Sequence, residues 1–233
     1  SLTPETLFPQ AKKAFENVIT SFHFGVKGMY LDAVNTQLQD YLKVNYSLLT
    51  QSGTAALHLA LQVLEVSEGD VILCSDYTYI ATINPVLYQK AIPILIDAEP
   101  QTGNMDPVLL EQAIKDALAK GVTPKAIVVV HSYGVPADMT SIMKIAKKYN
   151  ILVIEDAAEA YGCHFKGKSC GGIGDLGILS FNSNALLVDP VLFSVLVFIA
   201  PHFIEQLVGV IVPKPVLCVC TRTQLGAGFY PLS

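Results

Sequence analysis

Two well-separated segments carry the side chains best suited to chemistry. Ser52-Gly53-Thr54-Ala55-Ala56-Leu57 follows a short apolar run and opens a helical pattern. The N–H groups and positive end of a helix can face an anion there, and Gly53 allows close approach. A phosphate would suit this place, although Ser52 or Thr54 taken alone reads more simply as a helix cap. The second segment, Val153-Ile154-Glu155-Asp156-Ala157-Ala158-Glu159-Ala160-Tyr161-Gly162, has the pattern of a buried strand. It delivers Asp156 at its carboxyl end, where open α/β sheets bind ligands. A carboxylate set against a pyridine nitrogen keeps that nitrogen protonated, and the ring then draws electrons from a carbanion on an attached imine. An isolated Asp156 would again read as a cap. Glu-Asp-Ala-Ala after such a strand is a much less ordinary pattern.

Positioning these residues requires alternating strands and helices. Apolar residues at three- and four-residue spacing predict helices over Asp32–Lys43, Thr54–Leu64, Tyr79–Gln89, Pro107–Lys120 and Asp138–Lys148. Between them, apolar runs predict strands over Tyr46–Leu49, Val71–Cys74, Ile92–Ile96, Ala126–His131, Ile151–Glu155 and Gly177–Phe181. Continuous apolar runs are what strands buried on both faces require. The expected fold is therefore α/β, a three-layer sandwich with a mainly parallel sheet. Gly69-Asp70, Gly103-Asn104 and Gly121 mark turns.

Further segments appear in one consistent order and spacing: Tyr77-Thr78-Tyr79-Ile80-Ala81-Thr82, His131-Ser132-Tyr133-Gly134 with Ala137-Asp138-Met139, Lys166-Gly167-Lys168, Gly174-Asp175 and Ser180-Phe181. Together with the two segments above, they resemble the DegT/DnrJ/EryC1/StrS sugar aminotransferases. The Glu-Asp-Ala-Ala-Glu version is most similar to perosamine-synthase-like members, which make 4-amino sugars. The resemblance implies the large domain of the aspartate-aminotransferase fold (fold type I), a cofactor of pyridoxal 5'-phosphate or pyridoxamine phosphate, and amino transfer from glutamate to a nucleotide-linked keto sugar. It also implies a homodimer. Carried over residue by residue, Gly53 and Thr54 would bind the cofactor phosphate and Ser180 would add a hydroxyl to it. Asp156 would hold the ring nitrogen, Tyr79 would stack on the ring face, and Glu159 would sit near the ring hydroxyl.

The family lysine that forms the Schiff base falls at Ala185, four positions after Phe181 in Ser180-Phe181-Asn182-Ser183-Asn184-Ala185. Alanine can neither anchor the cofactor nor move a proton. The expectation is a chain inactive as written, with two alternatives: a non-catalytic binder of the cofactor or of a sugar nucleotide, and a frameshifted or truncated product. Three regions result: an N-terminal segment (1–30), a cofactor-binding large domain (31–184), and an apolar tail (185–233) that does not resemble the family continuation. In that tail the family's small C-terminal domain is absent or unrecognisable. Of the 15 basic and 20 acidic residues, only Asp189, Glu205, Lys214 and Arg222 lie after residue 184. The apolar runs Leu186–Ala200 and Leu207–Val212 are broken by Asp189-Pro190 and Pro201-His202, below the length of a membrane span. A divergent core segment or an unrelated reading frame fits better.

The net charge of -5, without a concentrated basic patch, argues against nucleic acid as a partner. Cys74, Cys163, Cys170, Cys218 and Cys220 are odd in number and lack C-x-x-C spacing, so neither a disulfide framework nor a metal site is expected. A reducing cytosol, hence a cytoplasmic protein, is the simple reading, and no secretory leader is visible after Ser1. Gly172-Ile173-Gly174-Asp175-Leu176-Gly177 matches a dinucleotide fingerprint only literally, since it precedes a strand instead of following one. Ser141-Ile142-Met143-Lys144 lacks the partner motifs of an S-x-x-K nucleophile. His131 is expected to be a satisfied structural histidine, and Lys166 and Lys168 solvated loop residues.

Overall fold

Alternation along the strands sorts apolar side chains onto the two faces of one sheet. The computed structural model describes residues 12, 13, 16, 17, 20 and 29–181, together with the backbone of 194–198. In chain order the elements are α1 (Met29–Leu42), β1 (Tyr46–Thr50), α2 (Gly53–Val63), β2 (Val71–Ser75), a 3₁₀ turn (Ile80–Thr82), α3 (Asn84–Tyr88), β3 (Ile92–Ile96) and α4 (Pro107–Ala119). There follow β4 (Ala126–Val130), α5 (Met139–Tyr149), β5 (Leu152–Asp156), the short β6 (His164–Phe165) and β7 (Lys168–Ser169), β8 (Leu176–Ser180) and β9 (Ser194–Phe198).

Among the described residues seven strands form one sheet in the order β1-β9-β8-β5-β4-β2-β3. The run from β8 to β3 is parallel, and β9 is antiparallel to both of its neighbours. On one face Ile72, Cys74, Val128, Ile154 and Ile178 pack against Leu57, Ala60 and Leu61 of α2. On the other face Leu73, Ile127, Val129 and Val153 pack against Leu110 and Ile114 of α4 and Ile142 and Ala146 of α5. A third cluster joins Leu38 and Leu42 of α1 to Ala157, Ala160, Cys170 and Leu179. Each fully buried Leu or Ile contributes about 1.5–3 kcal/mol, so these clusters make the three layers cohere.

The helices begin where side chains satisfy their first N–H groups. Ser52 Oγ accepts from Ala55 N at 3.2 Å at the start of α2, and Asp106 Oδ1 accepts from Val108 N at 2.7 Å before α4. Pro107 fits the first turn of α4 because its missing N–H has no partner to lose. α5 ends at Asn150, which adopts the left-handed conformation with φ 54°.

Three local features differ from the sequence expectation. The single helix expected over Tyr79–Gln89 is a 3₁₀ turn followed by the short α3, with Pro85 in its first turn. Proline lacks the N–H that a continuous helix would need there. The loop expected around Lys166 and Lys168 is the β6–β7 hairpin, whose central Lys166 and Gly167 both have positive φ (49° and 82°). That is the backbone of a tight two-residue hairpin turn. Finally, β9 arises within the apolar segment after residue 184, where no strand was expected, and lies between β1 and β8.

Ala185, with Asn182, Ser183 and Asn184, lies outside the described residues, as do Cys218, Cys220 and most of 1–30 and 185–233. Among the described residues no helix is long and apolar enough to cross a membrane.

Candidate functional site

The carboxyl ends of β2, β4 and β5 open onto a cavity of about 280 Å³, lined by Tyr77, Thr78, Tyr79, Thr82, Ser132, Tyr133, Asp156 and Glu159 among others. Asp156 is the last residue of β5. Its Oδ2 accepts from Thr82 Oγ1 at 2.8 Å and its Oδ1 from Ala158 N at 3.2 Å. Because Thr82 gives its proton to Asp156, the 2.6 Å contact between Thr78 and Thr82 hydroxyls makes Thr78 the donor. Burial pushes the Asp156 carboxyl above the ordinary aspartate range, while the hydrogen bonds from Thr82 and Ala158 pull it down. A carboxylate short of solvation in this way is relieved by a cationic partner arriving from the cavity.

The neighbouring Glu155 faces the opposite side of the sheet and has a different task. Glu155 and His131 are both fully buried. Ala137 N–H donates to His131 Nδ1 at 3.1 Å, so the imidazole proton sits on Nε2 and is given to Glu155 Oε2 at 2.9 Å. The carboxylate also accepts from the backbone N–H groups of Gly171, Ile173 and Gly174. Glu155 thereby fastens the chain that leads into β8. His131 is a satisfied structural residue, as expected.

The rim is aromatic. Tyr79 is 77% exposed, and Tyr77 and Tyr133 are also exposed, with 53% and 71% of their surface free. The Tyr77 and Tyr133 rings lie 6.1 Å apart. Glu159 Oε2 accepts from Tyr133 N at 3.0 Å, holding a residue whose φ of 51° lies in the left-handed region. Beneath it, the buried Asn104 accepts from Ser132 N at 3.0 Å and donates to the Val135 carbonyl at 3.0 Å.

Of the residues singled out in the sequence, Tyr79, Asp156 and Glu159 line this cavity together, whereas Gly53, Thr54 and Ser180 do not. The latter stand along the same edge. β1 and β8 run parallel, each being antiparallel to β9, and the register sets Thr50 level with Ser194 and Ser194 level with Ser180. Ser180 is 3% exposed, while Gly53 and Thr54 are half-buried in the first turn of α2. The N–H groups of such a turn have no acceptor within the helix. The sequence assigns neither Thr82 nor Asn104 to the site, and Asn104 only to a turn. Thr82 belongs to the Thr78–Thr82 segment that was noticed, but the partners of Asn104 are 28 and 31 residues away, beyond any local pattern.

The donor set suits a phosphorylated pyridine: a desolvated carboxylate, exposed aromatic faces and a glycine-containing helix start on one sheet edge. The model of the DegT/DnrJ/EryC1/StrS aminotransferase family matches residues 7–188. The GDP-perosamine synthase of Escherichia coli O157:H7 is 37% identical over 179 residues, covering 77% of this chain and 48% of that protein. A DegT DnrJ EryC1 StrS aminotransferase from Brucella abortus superposes with a TM-score of 0.81 at 26% identity, over 85% of this chain and 53% of that one. The Bacillus subtilis protein NtdA, solved with bound cofactor PMP, gives a TM-score of 0.75 at 28% identity, over 89% of this chain and 45% of its own. The chain spans about half the length of the curated relatives it matches, 41% to 48% for those most similar. Motif order, sheet topology and these matches agree: the chain belongs to the DegT/DnrJ/EryC1/StrS aminotransferase family.

Proposed function

We propose that this chain is the cofactor-binding domain of a sugar aminotransferase that takes pyridoxal phosphate or pyridoxamine phosphate. The substrates would be glutamate and a nucleotide-linked 4-keto sugar. The observation that carries the reading is Asp156, a desolvated carboxylate held by Thr82 and Ala158 at the floor of an aromatic-rimmed cavity. When bound, the cofactor supplies a protonated ring that withdraws electrons from the carbon losing its proton. Asp156 holds the ring nitrogen, and the face of Tyr79 covers one side of the ring. Glu159 stands near the ring hydroxyl. The first-turn N–H groups at Gly53 and Thr54, with the Ser180 hydroxyl, take the phosphate. The relative named GDP-perosamine synthase supports the sugar class. Assembly as a cytosolic homodimer belongs to the same proposal.

Ala185 favours a second reading, in which the domain binds the cofactor without turnover. A methyl group replaces neither the anchoring amine nor the proton-moving base of the family lysine. Equilibrium dialysis with pyridoxal phosphate, followed by borohydride and intact-mass measurement, tests the first reading. Retention without a covalent adduct is expected in the unaltered chain, and a covalent adduct in Ala185→Lys. Absence of retention, or retention unaffected by Asp156→Ala, overturns the assignment of the cavity. Glutamate-dependent amination of a 4-keto sugar nucleotide by the unaltered chain overturns the reading without turnover.

A further inference from the structure

We infer that Cys163 and Cys170 form a reversible disulfide pair across the neck of the β6–β7 hairpin. The register of that hairpin sets His164 against Ser169 and Phe165 against Lys168, so the next pair outward is Cys163 and Cys170. Cys170 N–H donates to the Cys163 carbonyl at 3.0 Å, which pins the two backbones at that step. The Cys163 N–H turns back to the Ala160 carbonyl at 3.0 Å, so a single bond links the two residues where the ladder ends. Residues facing each other across two antiparallel strands have Cα atoms about 4.5–5.5 Å apart. A disulfide spans about 4.4–6.8 Å.

Side chains directly opposite each other in such a pair share one face of the hairpin. Consistent with this, Cys170 belongs to the third apolar cluster and Cys163 packs against it beside Tyr41 and Tyr161. Cys74, by contrast, has Leu95 and Val128 opposite it in the sheet, and no thiol.

The two thiols differ in access. Cys170 is 1% exposed, and burial pushes it up to about 12, so it stays protonated at neutral pH. Cys163 is only half-buried and is the sulfur that an oxidant meets. With hydrogen peroxide as the oxidant, Cys163 sulfur attacks one peroxide oxygen, the O–O bond breaks, and a sulfenic acid and water form. The Cys170 thiol then gives its proton to the sulfenic oxygen as its sulfur attacks Cys163 sulfur, the S–O bond breaks, and the oxygen leaves as a second water. The two sulfurs together lose two electrons and the peroxide gains them. Cys170 directly precedes Gly171, whose N–H donates to Glu155 at 3.0 Å. The cross-link would therefore fix the start of the segment that grips the neighbour of Asp156.

Peptide mapping of the full chain carrying Cys218→Ser and Cys220→Ser tests the pair. Lys166 and Lys168 lie between the two cysteines, so trypsin cuts the backbone there and only a disulfide keeps the fragments together. After peroxide, quenching and alkylation, we expect the joined fragments, the loss of two titratable thiols, and recovery of both with dithiothreitol. In Cys170→Ser, dimedone should label Cys163 and no joined fragments should form. If that variant does not fold, the mapping of its parent still decides. Alkylation of both cysteines after peroxide, oxidation of Cys163 to sulfinic acid with Cys170 still alkylated, or a link through Cys74 overturns the proposal.

Discussion

Thr82 donates its hydroxyl to Asp156 at 2.8 Å across 74 positions of sequence. That bond lowers the Asp156 carboxyl, opposing the burial that raises it. A hydrogen bond to a charged group contributes about 1.5–3 kcal/mol. Thr82→Val should therefore weaken pyridoxal phosphate binding by about 10- to 100-fold. Without the hydroxyl Asp156 holds its proton to higher pH, so the loss of binding on acidification should begin at a higher pH in the variant. Dialysis across a pH series checks both effects, and an unchanged pH profile would remove Thr82 from the site.

Asp156→Asn should separate binding from stability. In the free protein the Asp156 carboxyl is raised above its ordinary value of 3.8, chiefly by desolvation. The folded state therefore prefers the protonated acid. Stability is fully present below the ordinary value and falls as pH rises through the interval up to the raised one. The asparagine variant cannot ionise, so its melting temperature should match the parent in acid and exceed it at neutral pH, while cofactor retention is lost. A melting series from acid to neutral pH in the absence of cofactor measures this, and a variant less stable than the parent at neutral pH contradicts it.

Glu155→Gln should be far more damaging than Asp156→Asn. Glu155 accepts from His131 and from the N–H groups of Gly171, Ile173 and Gly174. An amide places donors against donors in a site with no solvent. Each buried donor left without its acceptor costs about 1–3 kcal/mol, and several together take a large share of the roughly 5–15 kcal/mol of a typical domain. A urea midpoint close to that of the parent would show that the loop closes without Glu155.

Two glycine substitutions should differ sharply. A Cβ on Gly177 would run into the carbonyl of Gly171, and one on Gly174 would come 2.9 Å from the Val153 carbonyl. Gly162 has φ +90° and open space around it. Gly177→Ala should abolish soluble expression, whereas Gly162→Ala should cost about 1–2 kcal/mol of backbone strain and still fold. Chemical denaturation of whatever is recovered gives the comparison.

Much of this site can be read from the chain because its parts are local. Each strand expected from an apolar run between β1 and β8 is present within a residue or two at its ends. Asp156 stands at a strand end, as Glu155-Asp156-Ala157-Ala158 after apolar residues suggests. The glycines of Gly172–Gly177, rejected as a dinucleotide fingerprint, serve close packing of the turn into β8. Contacts made across long separations leave no such trace. Asn104 stands in a turn, as its pairing with Gly103 suggests, but its bonds to Ser132 and Val135 come from another strand's loop and leave no local mark. The hairpin at Lys166-Gly167 was missed because two-residue strands are too short to show alternation. β9 was missed because an apolar run without turn signals does not announce where its pairing begins.

The placement of β9 also sets an order of events during synthesis. Among the described residues β1, which leads into Gly53 and Thr54, pairs with the sheet only through Ser194–Phe198. While a ribosome adds residues at about 5–20 per second, β1 must wait on the order of ten seconds for its neighbour to emerge. During that interval β8, β5, β4, β2 and β3 can already zip together, and β1 remains an unpaired strand edge. The nascent chain would therefore hold the Asp156 side of the sheet before the side that carries Gly53 and Thr54, and a chaperone that covers strand edges would find its substrate in β1.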